Sequence, residues 1–180
     1  MNEKLLLLRN EDKIIFLDID GVLNPTMYMM ALGKMWKLSC NQIKSRDYYG
    51  HLFFYQNCDA LKKIIDETGA KIVMSSTWRL AGLSEMKALW KYRELSGDVI
   101  DVTPNEIEVV KSGGAKFYDE VCRGQEIQLW LDKNEFKGNY VIIDDTQDML
   151  KSQDDFFVRT HSSVGLTMSD AEMAIRILNK

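Results

Sequence analysis

Three groups of polar side chains stand directly after short apolar segments of this 180-residue chain: Asp18 and Asp20 after the first, Ser75 after the second, and Asp144 and Asp145 after the third. Ligands of open parallel sheets bind outside the carboxyl ends of the strands, so such a fold would gather the three groups at one edge. Carboxylates gathered there raise each other's pKa values, and a divalent cation relieves their repulsion. Hard oxygen ligands without histidine or cysteine favour Mg²⁺ over zinc.

A site of this composition is suited to phosphoryl transfer. One carboxylate can attack phosphorus and form an acyl-phosphate, which divides one difficult displacement into two easier ones. A second carboxyl group two residues further on can protonate the leaving oxygen and afterwards activate water. A hydroxyl group, a basic side chain, backbone N–H groups and a metal ion can share the charge of the phosphoryl oxygens. Asp18 and Asp20 have the required spacing.

The segments that must position these side chains have the pattern of buried strands. Residues 13–19, 71–75 and 140–144 are short apolar runs, and residues 98–102 and 155–158 are weaker candidates of the same kind. Such runs are typical of strands that are buried on both faces. Helical spacing of apolar residues lies between them. This alternation predicts an α/β fold with a mainly parallel sheet and helices on both of its faces.

Helices are predicted over residues 58–67, 84–95 and 125–132, where apolar residues recur at helical spacing. A fourth helix is predicted near the end of the chain. Ser169 has Glu172 three positions further on, which is the pattern of a capping box.

Two stretches do not fit the alternation of strands and helices. Residues 24–56 are rich in aromatic residues and methionine, and residues 103–121 contain a Gly-Gly turn signal. We expect one domain over residues 1–180, with a flap or small cap at 24–56 and a loop insertion or small hairpin at 103–121. Inserted loops of this kind are common places for substrate contacts.

Composition narrows the class of protein. Hydrophobic residues make up 46% of the chain and charged residues 28%, which argues against disorder. The formal charge of −4 argues against a bulk nucleic-acid coat, although a local basic patch is compatible with it. Three widely spaced cysteines without a CxxC pair do not predict a structural zinc site.

The longest apolar run near the start, residues 5–8, is too short for a membrane span or a signal-peptide core, and we therefore expect a cytoplasmic protein without membrane contact.

Three motifs of the chain resemble the haloacid dehalogenase (HAD) superfamily of phosphatases. IIFLDIDGVLN resembles the family's strand followed by Asp-x-Asp-Gly, IVMSS its strand ending in a hydroxyl residue, and VIIDDTQD its acidic metal-binding motif. The resemblance implies a three-layer Rossmann-like fold with a small or absent cap. It also implies Mg²⁺-dependent hydrolysis of phosphomonoesters through an aspartyl-phosphate.

The same resemblance implies roles for individual residues. Asp18 would be the nucleophile, and Asp20 would be the general acid and base while its backbone carbonyl binds Mg²⁺. Ser75 would be the hydroxyl that binds the phosphoryl group. Asp144 would be the first choice of metal ligand after Asp18 and Asp20, with Asp145 next.

The family's third motif is a lone Lys or Arg ahead of the acidic motif, and here several residues compete for it. Arg123 lies 21 residues before Asp144 and opens the predicted helix RGQEIQLWL, so it is our choice. Lys116 and Lys111 are the alternatives. Asp148, in the acidic motif, is expected to support the metal ligands or to act as a charge at a helix N-terminus.

The combination of SSTWR and RGQEIQLWL also resembles a narrower group, the HAD domains of RNA-repair proteins and the phosphatase half of phage-type polynucleotide kinases. Members of that group remove phosphate from nucleic-acid ends. The chain has no GxxxxGK[ST] loop, so a kinase half is not expected. We expect a polynucleotide 3′ end as substrate. The alternatives are a nucleotide or small phosphorylated metabolite, and a non-catalytic binding module with the same fold.

Residues 28–55 bear on the choice of substrate. Seven aromatic side chains there are interleaved with the cations Lys34, Lys37, Lys44 and Arg46. Such a mixture could stack bases and hold a phosphate backbone. The simpler interpretation is an irregular apolar flap that packs on the core and keeps its cations in solvent.

Overall fold

A computed structural model describes residues 8–9, 11–38, 46–104, 107–110, 116–119 and 122–180, with the backbone alone for 35–38, 107–110 and 116–119. The strands are β1 Lys13–Leu17, β2 Arg46–Asp47, β3 Gly50–His51, β4 Lys71–Met74, β5 Val99–Val102, β6 Ile107–Val110, β7 Lys116–Asp119, β8 Asn139–Asp144 and β9 Phe157–Arg159. The helices are α1 Thr26–Leu38, α2 Tyr55–Thr68, α3 Leu83–Tyr92, α4 Arg123–Lys133 and α5 Met168–Leu178.

Five strands form a parallel sheet in the order β5–β4–β1–β8–β9. The predicted parallel sheet is therefore confirmed. β1 occupies the centre, between β4 and β8, so the three strands that lead to the polar groups are neighbours. One of the two weaker predicted strands, 155–158, is shifted, because a 3₁₀ helix spans Lys151–Phe156 and β9 begins only at Phe157.

Helices cover both faces of the sheet, which makes the three layers of the predicted α/β fold. Side chains of α2, α3 and α5 pack against one face, and those of α4 pack against the other. The core residues of β1 are apolar because both faces of the strand are covered. Ile15 and Leu17 contact the first layer, and Ile14 and Phe16 contact the second. Trp130 of α4 meets Phe16 edge-on, with ring centroids 5.3 Å apart.

The predicted capping box of the last helix is wrong by two residues. The N-cap of α5 is Thr167, whose hydroxyl accepts the N–H of Asp170 at 3.2 Å. The N–H of Thr167 in turn donates to the Asp170 carboxylate at 2.9 Å. Ser169 lies inside the first turn, because Thr167 and Asp170 form a capping box that begins two residues earlier.

The two inserted stretches have regular structure of their own. Residues 24–56 contain α1 and the β2–β3 hairpin, and residues 103–121 contain the antiparallel β6–β7 hairpin. Both insertions leave the five-stranded sheet uninterrupted. Among the helices that the structure describes, none combines the length and apolar character that a bilayer crossing requires.

The start of α4 is docked closely against the segment that follows β8. Gly124 donates its N–H to the carbonyl of Asp148 at 3.1 Å, and its own carbonyl accepts the side-chain amide of Gln153 at 2.9 Å. A Cβ on Gly124 would lie 2.3 Å from the backbone nitrogen of Leu150. Only glycine permits this approach, which fixes the position of the preceding Arg123.

We expect Gly124→Ala to destabilise the protein by about 1–3 kcal/mol, because the added methyl group would displace the backbone. Gly33→Ala is the matched control, since Gly33 is also helical but a Cβ there meets no atom within 4 Å. That change should be neutral or stabilising by up to about 1 kcal/mol, because alanine favours helix over glycine. Urea unfolding of both variants measures the difference. Equal stability of the two would contradict the close docking of α4.

Candidate active site

The ends of three neighbouring strands bring the predicted polar groups to one edge of the sheet. Beyond β1, the N–H of Asp18 donates to the carbonyl of Ile143 at 3.0 Å. Beyond β4, the N–H of Ser75 donates to the carbonyl of Leu17 at 2.8 Å. These bonds continue the sheet's hydrogen bonding past the strand ends, so the backbones that carry both side chains are held firmly.

Asp18, Asp144 and Asp145 form a compact carboxylate cluster. Each offers an oxygen atom, and the three atoms lie within 4.8 Å of one another. Asp18 is 7% exposed and Asp144 is 1% exposed. Gly21 makes room for the third member: its φ is +73°, and a Cβ there would lie 2.2 Å from the Asp145 Oδ2. The glycine of the Asp-x-Asp-Gly motif is therefore required both by its backbone conformation and by its closeness to Asp145.

The cluster has the chemistry of a Mg²⁺ site. Its three members are aspartates, and hard carboxylate oxygens are the ligands that Mg²⁺ prefers. The Oδ2 atom of Asp144 is buried and has no hydrogen-bond partner. A buried acceptor normally has a partner, and a bound cation would supply one here. The residues present thus fit the metal that the motifs imply.

The environment of Asp18 opposes its ionisation. Burial, and secondly the negative charge of Asp144, raise the pKa of Asp18 from 3.8 to about 7. A hydrogen bond with the Ser76 side chain and the positive charge of Arg123 act in the opposite direction. A cation among the carboxylates would add to these opposing effects and favour the ionised form.

Asp144 is held by the loop that follows it. Its Oδ1 accepts the backbone N–H of Thr146 at 2.9 Å and lies 2.7 Å from the Thr146 hydroxyl. Burial raises the pKa of Asp144, and these hydrogen bonds counteract the rise. Asp148 supports the arrangement, because its Oδ2 accepts the backbone N–H of Arg123 at 3.1 Å. Asp148 thus lies at the N-terminus of α4 and also beside Thr146, as an acidic supporting residue.

Arg123 is brought to the carboxylates and anchored by a shared glutamate. Its Nε lies 3.4 Å from Asp144 Oδ2, and its Nη1 donates to Glu126 Oε2 at 2.9 Å. The other oxygen of Glu126 accepts from the buried Arg79, which also donates to the carbonyl of Ser76. Two guanidinium groups therefore share one carboxylate. The net positive charge of this group faces the acidic cluster.

Two serines stand beside the nucleophile candidate, and they differ in their partners. The hydroxyl of Ser75 is buried and has no hydrogen-bond partner. The side chain of Ser76 is hydrogen-bonded to Asp18 and also caps the 3₁₀ helix Thr77–Ala81. Ser75 is therefore the serine with a free hydroxyl at the sheet edge, which suits a phosphoryl contact.

Asp20 has different surroundings from the three clustered aspartates. Its side chain is exposed, and its Oδ2 accepts the indole N–H of Trp78 at 2.9 Å. Its Oδ1 lies 3.4 Å from the Asn24 side-chain amide. The carboxyl of Asp20 is thus held at the solvent-exposed rim of the site.

The structure brings together Asp18, Ser75, Arg123, Asp144 and Asp145, and it places the Asp20 side chain at the rim. Lys111 lies outside the described residues, and Lys116 is described only as backbone in β7, so neither competitor of Arg123 is located. Sequence reasoning missed three contributors, namely Ser76, Trp78 and Glu126. The serine pair at the end of β4 was a local signal for the first. No local signal pointed to the other two, because their contacts join distant parts of the chain.

The sequence over residues 14–171 matches the family described as the HAD domain in Swiss Army Knife RNA repair proteins. The chain therefore belongs to this family of HAD domains, which confirms the resemblance seen in its motifs. Neither the comparison with curated proteins nor the comparison with solved structures gives a match. Family membership together with the sheet topology assigns the protein a Rossmann-like HAD fold, and the family indicates phosphatase-type hydrolysis.

The raised pKa of Asp18 predicts how the free energy of unfolding depends on pH. Between about pH 4 and pH 7 the folded protein keeps a proton on Asp18 that the unfolded chain releases, so the free energy of unfolding falls as pH rises through this window. Asp18→Asn removes the charge. In metal-free protein at pH 8 it should stabilise by on the order of 2 kcal/mol, or roughly 4–8 °C in Tm for a chain of this length.

Thermal unfolding in chelator at pH 5 and pH 8 measures this effect. The gain should be much smaller at pH 5, where Asp18 of the wild type is mostly protonated. The exposed Asp155 provides the control, because Asp155→Asn should change Tm little at either pH. A gain from Asp18→Asn that is the same at both pH values would contradict the electrostatic account.

Proposed function

We propose that the protein hydrolyses phosphomonoesters with Mg²⁺ through an aspartyl-phosphate on Asp18. The observation that carries the proposal is the carboxylate cluster of Asp18, Asp144 and Asp145, with Arg123 at its edge. A bound Mg²⁺ would be held by these aspartates and the backbone carbonyl of Asp20, and it would neutralise charge on the carboxylates and the phosphoryl oxygens.

In the first step, a carboxylate oxygen of Asp18 forms a bond to phosphorus, and the bond between phosphorus and the leaving oxygen breaks. The carboxyl of Asp20 donates its proton to that oxygen, which leaves as an alcohol. In the second step, the Asp20 carboxylate takes a proton from water as the water oxygen attacks phosphorus. The bond to Asp18 breaks, and inorganic phosphate and the free carboxylate result. Asp20 at the rim has access to both the leaving group and water.

Two side chains are suited to hold the phosphoryl oxygens. The Ser75 hydroxyl is buried without a partner and can donate to one of them. The Nε of Arg123 also has no hydrogen-bond partner, although its charge lies near Asp144. Donors placed beforehand where negative charge develops stabilise a transition state without reorganisation. The pairing of Arg123 with Glu126 keeps its guanidinium in place before substrate arrives.

As substrate we propose a polynucleotide carrying a 3′-terminal phosphate. The family to which the chain belongs is described by its place in RNA-repair proteins. The insertion at residues 24–56, which we propose to act as a small cap, exposes aromatic side chains that bases could stack on: Tyr48 is 85% exposed and Tyr55 is 65% exposed. Lys34 and Arg46 of the same insertion are exposed cations that could contact backbone phosphates.

A substrate panel tests this proposal. With Mg²⁺, the wild type should hydrolyse a 3′-phosphorylated oligonucleotide with a higher kcat/KM than mononucleotides or sugar phosphates. Excess chelator should stop the reaction, and added Mg²⁺ should restore it. Asp18→Asn serves as the matched blank, because its amide is nearly isosteric but a very poor nucleophile.

Each alternative has its own outcome in this panel. Faster hydrolysis of a small phosphate ester would favour a metabolite phosphatase. Activity that survives in chelator or in the Asp18→Asn protein would overturn the mechanism. A wild-type protein inactive on every ester would favour a binding module with the HAD fold.

The assignment of the third motif has a separate test. Arg123→Ala should reduce kcat/KM by a factor that corresponds to about 2–4 kcal/mol, as for loss of a charge-stabilising donor. Lys116→Ala should have a small effect. Steady-state kinetics of both variants on one substrate decide between them, with thermal unfolding as a check that each is folded. The reverse ranking would assign the motif to Lys116.

A further inference from the structure

Trp78 makes a contact that none of the HAD motifs explains. Its indole N–H donates to Oδ2 of Asp20 at 2.9 Å, and Asp20 is otherwise an exposed side chain on a loop. The second contact of Asp20, from Asn24 to Oδ1, is longer at 3.4 Å. An exposed aspartate samples several rotamers, and a hydrogen bond to one of its oxygens restricts them. The direction in which Asp20 points therefore depends mainly on Trp78.

Trp78 is itself held from two sides. Its backbone belongs to the 3₁₀ helix that starts after Ser76, and its N–H donates to the Ser76 side chain at 3.4 Å. Its ring meets Phe53 edge-on, with centroids 5.7 Å apart. Phe53 in turn is covered by Arg93, whose guanidinium carbon lies 4.3 Å from the centre of the Phe53 ring. Trp78 is thus a half-buried group with a fixed orientation, and not a mobile surface side chain.

The indole group also occupies one oxygen of the Asp20 carboxyl group. An indole N–H only donates, so Oδ2 serves as the acceptor in this contact. Oδ1, whose contact with the Asn24 amide is longer at 3.4 Å, is the oxygen that remains more open to a leaving group. A carboxyl group with a fixed orientation is the arrangement that a general acid needs, because proton transfer requires hydrogen-bond geometry to the leaving oxygen.

We propose that Trp78 is a positioning residue that holds Asp20 for protonation of the leaving oxygen. It thereby enables the site to hydrolyse phosphomonoesters of unactivated alcohols. The proposal rests on the function proposed above. In the step concerned, the Asp18–phosphorus bond forms and the ester bond breaks. The leaving oxygen keeps the electron pair and takes a proton from the Asp20 carboxyl group. The hydroxyls of a sugar are leaving groups of this kind, whereas an activated phenol leaves without needing the proton.

A matched pair of substrates separates positioning from a general structural role. 4-Nitrophenyl phosphate releases a stable phenolate, and 4-nitrobenzyl phosphate, one methylene longer, releases an alkoxide that must be protonated. For both, kcat/KM reports the steps up to release of the first product and is independent of the later hydrolysis of the phosphoenzyme. Trp78→Phe keeps an aromatic side chain beside Phe53 and removes the N–H donor.

We expect Trp78→Phe to lower kcat/KM for the benzyl ester at least tenfold and to change that for the phenyl ester less than twofold. Trp90→Phe is the matched control, because Trp90 also packs against Phe53 but donates its N–H to the carbonyl of Ser96. That variant should leave the ratio of the two kcat/KM values unchanged. Thermal unfolding of both variants verifies that each is folded.

The remaining outcomes each lead to a conclusion. A parallel loss on both esters, or no loss on either, would overturn the positioning role of Trp78. Asp20→Asn distinguishes this from a failure of the proposed function. Asp20→Asn could lower kcat/KM selectively for the benzyl ester while Trp78→Phe does not. That result would support Asp20 as the general acid and would contradict only the role of Trp78. If Asp20→Asn shows no selectivity, or the wild type hydrolyses neither ester, the proposed function itself fails.

Discussion

Burial of negative charge at the carboxyl edge of the sheet is the constraint that the rest of the site has to satisfy. Asp18 and Asp144 are almost fully enclosed and lie close together, which is costly for two ionised carboxylates. Hydrogen bonds and a nearby positive charge offset this cost. Thr146 donates to Asp144, the Ser76 side chain is bonded to Asp18, and Arg123 supplies positive charge. Each of these groups reaches the edge because a strand or helix begins or ends there.

The parts of the site that follow single strands could be predicted from the sequence. Asp18 and Ser75 were identified because an apolar strand directly precedes each of them, and the parallel sheet then brings the strand ends together. Arg123 is the choice for the third motif that the family resemblance implies, because it opens a predicted helix 21 residues before Asp144. These predictions rest on local pattern, topology and the resemblance, which is why they do not require knowledge of the packing.

Contacts between distant side chains could not be predicted in this way. Trp78 and Asp20 are 58 residues apart, and Arg79 and Glu126 are 47 residues apart. The sequence around Glu126 does not predict its burial, because Glu126 has the position of an ordinary polar residue on an amphipathic helix. Arg79 is buried as well, although the sequence around it has no apolar pattern that predicts this. The pairing of Arg79 with Glu126 is decided by how α4 packs on the sheet, and that of Trp78 with Asp20 by how the 3₁₀ helix after β4 approaches the end of β1.

The insertion after β1 is joined to the site through a line of side chains. Asp47 of β2 receives two hydrogen bonds from Arg93, each 2.8 Å long, and Arg93 covers the ring of Phe53 that supports Trp78. Because Asp47 lies in the insertion and Trp78 lies beyond β4, the hairpin is not an interchangeable module. Replacing this hairpin would therefore also disturb the support of Trp78 and, through it, the orientation of Asp20. Under the function that we propose, one change in the hairpin would alter the contacts with substrate and the position of the acid together.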